Sequence, residues 1–66
     1  MQISVNGEAM QLADGATLMD LLTLLKLQDV RVAVELNQEI VPRSRHAGQA
    51  LHEQDRIEIV HAIGGG

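Results

Sequence analysis

The 66-residue sequence contains no cysteine, no phenylalanine, tyrosine or tryptophan, and a single proline. Without cysteine there can be no disulfide, thiolate zinc site, iron–sulfur cluster or thiol nucleophile. Without an aromatic ring there is no platform on which bases could stack. The balance of five Lys+Arg against nine Asp+Glu, a net charge of −4, repels phosphate backbones, so no nucleic-acid partner is expected. Long apolar runs are also missing. The longest cluster, Leu21-Leu22-Thr23-Leu24-Leu25, is too short to span a bilayer, and Met1-Gln2-Ile3-Ser4 lacks the basic start of a secretory signal. The expectation is a cytoplasmic protein with no membrane partner. Apolar residues make up 45% of the chain, enough for one aliphatic core and too much for a disordered segment. A domain this small hides only about 60% of the surface its unfolded chain exposes.

Periodicity divides the chain into short elements. Ile3 and Val5 alternate with polar neighbours, Asn6-Gly7 supplies a two-residue hairpin turn, and Met10 and Leu12 resume the alternation. After Asp14-Gly15 the period changes. Leu18, Leu21, Leu22 and Leu25 fall on one face of a helix, predicted from about Leu18 to Leu27 with Thr17 as N-cap and Asp20 completing a capping box. Val30, Val32, Val34 and Leu36 form a third strand; Asn37-Gln38 turns the chain into a short fourth strand, Ile40-Val41, which Pro42 stops. Residues 43–55 lack a clean period beyond a helical turn around Arg45-His46-Ala47, with Leu51 as the apolar anchor beneath them. A turn at Glu53-Gln54-Asp55 leads to a last strand, Arg56 to Ile63, whose Ile57 and Ile59 face inward. This order implies an α+β fold of the β-grasp (ubiquitin-like) kind. It has a mixed sheet of about five strands, one helix on one face, and the first and last strands parallel at the centre. Residues 1–63 would be the domain and residues 64–66 a flexible glycine tail.

Little in the sequence supports catalysis. Ser4, Ser44, Thr17 and Thr23 are the only hydroxyls, and none lies in a nucleophile-elbow context. His46, His52 and His61 lack the tight spacing of metal motifs and read as surface or rim histidines. Gly7 and Gly15 belong to turns, and no glycine-rich phosphate loop joins a strand to a helix. What remains is Ile63-Gly64-Gly65-Gly66. Three glycines can be a frayed end. They can also form a thin, unhindered segment that another protein's narrow channel admits, with its carboxylate open to activation. Directly after a central β-grasp strand, the second reading is favoured.

Several segments resemble the sulfur carrier proteins of thiamine biosynthesis, the ThiS family. They are Asn37-Gln38-Glu39-Ile40-Val41-Pro42-Arg43, the strand Asp55-Arg56-Ile57-Glu58-Ile59-Val60, the closing Gly-Gly-Gly, the hairpin Val5-Asn6-Gly7-Glu8 and the helix start Gly15-Ala16-Thr17-Leu18. One departure is Gln54, where that family often has Gly. The stretch Ile57 to Gly66 also resembles the tail of ubiquitin, with Ala62 where ubiquitin has Arg.

The resemblance implies a carrier rather than an enzyme. An E1-like adenylating enzyme of the ThiF type, using ATP and magnesium, would convert the Gly66 carboxylate to an acyl-adenylate. A persulfide donor would then yield a thiocarboxylate on Gly66, and a ThiG-type thiazole synthase would receive the sulfur. The chain itself would bind no cofactor or metal. Gly64 and Gly65 would thread into partner active sites, and Val60, Ala62 and Ile63 would dock. The alternatives are the small sulfur-carrier subunit of molybdopterin synthase and a non-covalent β-grasp interaction module.

Overall fold

The computed structural model describes residues 1–61. Strands β1 (Gln2–Val5) and β2 (Glu8–Gln11) form an antiparallel hairpin with Val5 opposite Glu8. Asn6 (φ 52°) and Gly7 (φ 86°) both take left-handed backbone, as a two-residue hairpin turn that follows the strand twist requires.

The helix α1 spans Leu18–Leu24. Its capping box is complete: Asp20 N donates to Thr17 Oγ1 at 3.2 Å, and Thr17 N donates to Asp20 Oδ2 at 2.8 Å. The helix ends three residues before the Leu27 predicted from periodicity. Lys26 turns left-handed (φ 61°), Leu27 N donates to Leu22 O at 2.7 Å, and Lys26 N donates to Thr23 O at 3.0 Å. This is a Schellman closure built without glycine, so its usual sequence mark is missing. Leu18, Leu21 and Leu22 are buried, Leu25 and Leu27 are partly buried against the core, and Leu24 is exposed.

Strands β3 (Val32–Leu36) and β4 (Glu39–Val41) follow, with Asn37 (φ 51°) and Gln38 (φ 72°) in the turn. The strand predicted to begin at Val30 starts instead at Val32, and Val30 lies on the surface. After Pro42 a 3₁₀ segment, Arg43–Gly48, carries His46 inward. His46 is therefore not at the surface or rim as its sequence context suggested. It is 2% exposed, and its Nε2 lies 3.0 Å from Val41 O. A carbonyl only accepts, so Nε2 carries the proton in this contact. The bond ties the 3₁₀ segment to the end of β4. His52 and His61 are exposed. An isolated bridge between Thr17 and Ala50, flanked by Leu18 N to Gln49 O at 2.8 Å and Leu51 N to Ala16 O at 3.0 Å, fastens the start of α1 to this segment.

Strand β5 (Arg56–His61) completes the sheet, whose order is β2-β1-β5-β3-β4. β5 runs parallel to β1 and antiparallel to β3. This is the anticipated β-grasp arrangement, with the first and last strands adjacent at the centre. Asn37 fixes the start of β5: its N donates to Arg56 O at 2.8 Å, Arg56 N donates to its Oδ1 at 2.9 Å, and its Nδ2 donates to Asp55 Oδ1 at 3.0 Å. Ile3, Val5, Val34, Val41, Ile57 and Ile59 form the inner face of the sheet, and Leu18, Leu21, Leu22 and Leu51 close over it.

Replacing Leu22 by Ala should lower unfolding free energy by roughly 2–5 kcal/mol in chemical denaturation, because the buried helix face leaves a cavity. Gln54 sits at φ 72° in the turn before β5, where a side chain is strained. Gln54→Gly should stabilise the protein by about 0.5 kcal/mol, the relief of left-handed strain exceeding the entropy that glycine adds to the unfolded chain.

Candidate functional site

β5 lies between β1 and β3, but the two sides are held differently. On the β3 side the ladder is continuous from Leu36 opposite Ile57 to Val32 opposite His61. On the β1 side backbone pairing covers only Ser4 with Arg56 and Val5 with Ile57, with Asn6 N donating to Ile57 O at 2.9 Å. There β1 turns away at Asn6-Gly7. The Asn6 side chain continues the ladder: Ile59 N donates to Asn6 Oδ1 at 2.8 Å, and Asn6 Nδ2 donates to Ile59 O at 3.2 Å. A carboxamide presents the same donor and acceptor as a peptide group, and here it serves as the missing residue of β1. Beyond Ile59 no hydrogen bond from the β1 side reaches β5 among the described residues.

Alternation along β5 buries Ile57 and Ile59 and turns Glu58 and Val60 to the open face of the sheet. Val60 is 59% exposed, across from Ala33, and Ile40 on β4 is 74% exposed, across from Glu35. Glu35 and Glu58 face each other directly. Among the described residues, neither has a cationic group within ion-pair distance. The open face thus combines exposed aliphatic groups with two carboxylates in a register that disfavours like charges.

Of the residues singled out in the sequence, Val60 lies on this open face. Ala62, Ile63, Gly64, Gly65 and Gly66 lie outside the described residues. Asn6 and Asn37, turn residues by sequence, have a second role as hydrogen-bond partners of β5 that the sequence does not display. The left-handed turn was legible in the types of residue, but the hydrogen bonds depend on partners 53 positions from Asn6 and 18 or 19 from Asn37. Among the described residues no three or more His, Asp or Glu side chains are placed to hold a metal ion, and no helix is long and apolar enough to cross a membrane.

The model of the ThiS family matches residues 3–66. The chain is 39% identical to "Sulfur carrier protein ThiS" of Escherichia coli K12, with all of both chains covered. It is 44% identical to a "Thiazole synthase" of Magnetococcus marinus; all 66 residues match, but they span only 20% of that protein. The fold matches the crystal structure of a thiamine biosynthesis protein (ThiS) from Geobacter metallireducens with a TM-score of 0.85 at 30% identity, each chain fully covered.

The opposed carboxylates give a direct expectation. Glu35→Lys should raise stability in thermal unfolding by replacing repulsion across the strands with attraction, and the gain should shrink as salt is added.

Proposed function

The chain belongs to the ThiS family, and on that premise we propose that it carries sulfur on its Gly66 carboxylate for the building of the thiazole ring of thiamine. The observation that carries this reading is the end-to-end match to a protein named as a sulfur carrier. The sequence adds a chemical reason. With no cysteine in the chain, it has no thiol to hold sulfur, and a terminal carboxyl is the remaining handle.

In this reading an E1-like ThiF-type enzyme binds ATP and magnesium. The Gly66 carboxylate attacks the α-phosphate, pyrophosphate leaves, and an acyl-adenylate forms. The terminal sulfur of a partner's persulfide then attacks the acyl carbon, and AMP departs. Cleavage of the resulting sulfur–sulfur bond by a thiol leaves a thiocarboxylate on Gly66. Gly64 and Gly65 have no side chains to obstruct a narrow channel, and Val60, Ala62 and Ile63 supply apolar docking contacts beside it. Exposure of Val60 on the open face supports its part in that docking.

Thiazole synthase is the proposed acceptor. Two relatives with that name, from Magnetococcus marinus and Paramagnetospirillum magneticum, contain a stretch matching all 66 residues. That favours this acceptor over a molybdopterin synthase. The chain would act in the cytoplasm as a co-substrate of its partners, without a bound cofactor.

Intact-mass analysis of protein from its native host should reveal a population in which one oxygen is replaced by sulfur, localised to Gly66. A chain lacking Gly65 and Gly66 should fail to restore growth without thiamine in a deletion strain, and a bulky residue appended after Gly66 should abolish adenylation. Full rescue by the truncated chain would overturn the proposal.

A further inference from the structure

We propose that Asn6 is a positioning residue for the carrier segment, acting through the backbone of Ile59; this rests on the carrier reading above. β5 has two tasks that oppose each other. Its Ile57 and Ile59 must stay in the core, while the chain just beyond must be available to a partner. The β1 ladder would satisfy the first task if it ran further, but it would also pair the last residues of β5, those next in sequence to residues 62–66. β1 instead stops at Val5, and a single carboxamide makes the last two bonds, at 2.8 and 3.2 Å, to Ile59.

The arrangement gives a fixed end point. Ile59 lies opposite Val34 of β3, while its own N–H and C=O both turn to the β1 side and bond only to the Asn6 carboxamide. Val60 and His61 are held only on the β3 side among the described residues. The clamp therefore makes Ile59 the last residue of β5 bonded on the β1 side among the described residues, the anchor nearest in sequence to residues 62–66. Asn6 suits this task because it tolerates the left-handed turn, at φ 52°, while its side chain offers a donor and an acceptor together. Glycine would satisfy the turn and leave Ile59 unclamped. Aspartate would keep the acceptor but set an anion against Ile59 O.

The role separates from simple stability because Asn37 provides an internal control. It also pins β5, through its Oδ1 and its backbone N–H, but at Arg56, the end remote in sequence from residues 62–66. Asn6→Gly, Asn6→Asp and Asn37→Gly should be compared with the wild-type chain at a temperature where all are folded. The readouts are adenylation by the cognate activating enzyme over a range of carrier concentrations, and amide hydrogen exchange at Ile59.

Asn6→Gly should speed Ile59 exchange and lower kcat about tenfold with KM little changed, since docking is intact while the carboxylate is misdelivered. Asn6→Asp should show the same kcat loss, and Asn37→Gly should keep wild-type kcat. Accelerated Ile59 exchange with wild-type kcat in both Asn6 variants would overturn the proposal, as would an equal loss of kcat in Asn37→Gly. If the wild-type chain is itself not adenylated, the carrier reading falls and this inference falls with it; that result is distinct from a working wild type with indifferent variants.

Discussion

Burial of Ile57 and Ile59 at the centre of the sheet is the interaction on which the rest of the structure depends. With no aromatic side chain to contribute a large area at one position, the core is assembled from aliphatic groups that each contribute modestly. The helix stripe of Leu18, Leu21 and Leu22 has a surface to cover only when β5 lies between β1 and β3. The hairpins β1–β2 and β3–β4 are local and contact each other through β5. Removing that strand would leave two separate ribbons, neither of which is independently stable in water.

A second theme is how many tight reversals the small sheet needs. Asn6, Lys26, Asn37, Gln38 and Gln54 all adopt left-handed backbone although none is glycine. The short connections between elements leave no room for wider loops. Where the residue is asparagine, the chain gains from the choice, because the same carboxamide that tolerates the turn also bonds to β5. At Gln54 the sheet gains a backbone bond, Gln54 N to Gln2 O at 2.7 Å, but the side chain makes no compensating contact of that kind. Family members that carry glycine there avoid the conformational cost.

The architecture was largely legible in the sequence because its signals are periodic. The alternation of Ile3 with Val5 and of Ile57 with Ile59, and the spacing of Leu18, Leu21, Leu22 and Leu25, each identify an element and the face it buries. Boundaries were less visible. The helix ends at Leu24 because of a left-handed Lys26, a residue type that carries no stop signal, and β3 begins at Val32 although Val30 continues the alternation. His46 was misplaced for a similar reason. Burial of a histidine follows from one bond to Val41 O in an aperiodic segment, and nothing in the spacing of the three histidines reveals it. For the candidate site, the composition of the last residues pointed to a carrier segment, whereas the Asn6 clamp and the Glu35–Glu58 opposition arise from strand register, which exists only in three dimensions.

The pairing of Asn6 with Ile59 joins positions 53 residues apart. Closing so long a loop is entropically slower than forming a helix or a hairpin, so this contact is expected to form after the local pieces. Until that encounter occurs β5 can pair with β3 alone, and its β1 side lacks both the Ser4–Val5 pairing and the Asn6 clamp. On the carrier reading proposed above, closing the sheet and presenting the carrier segment would then be one event.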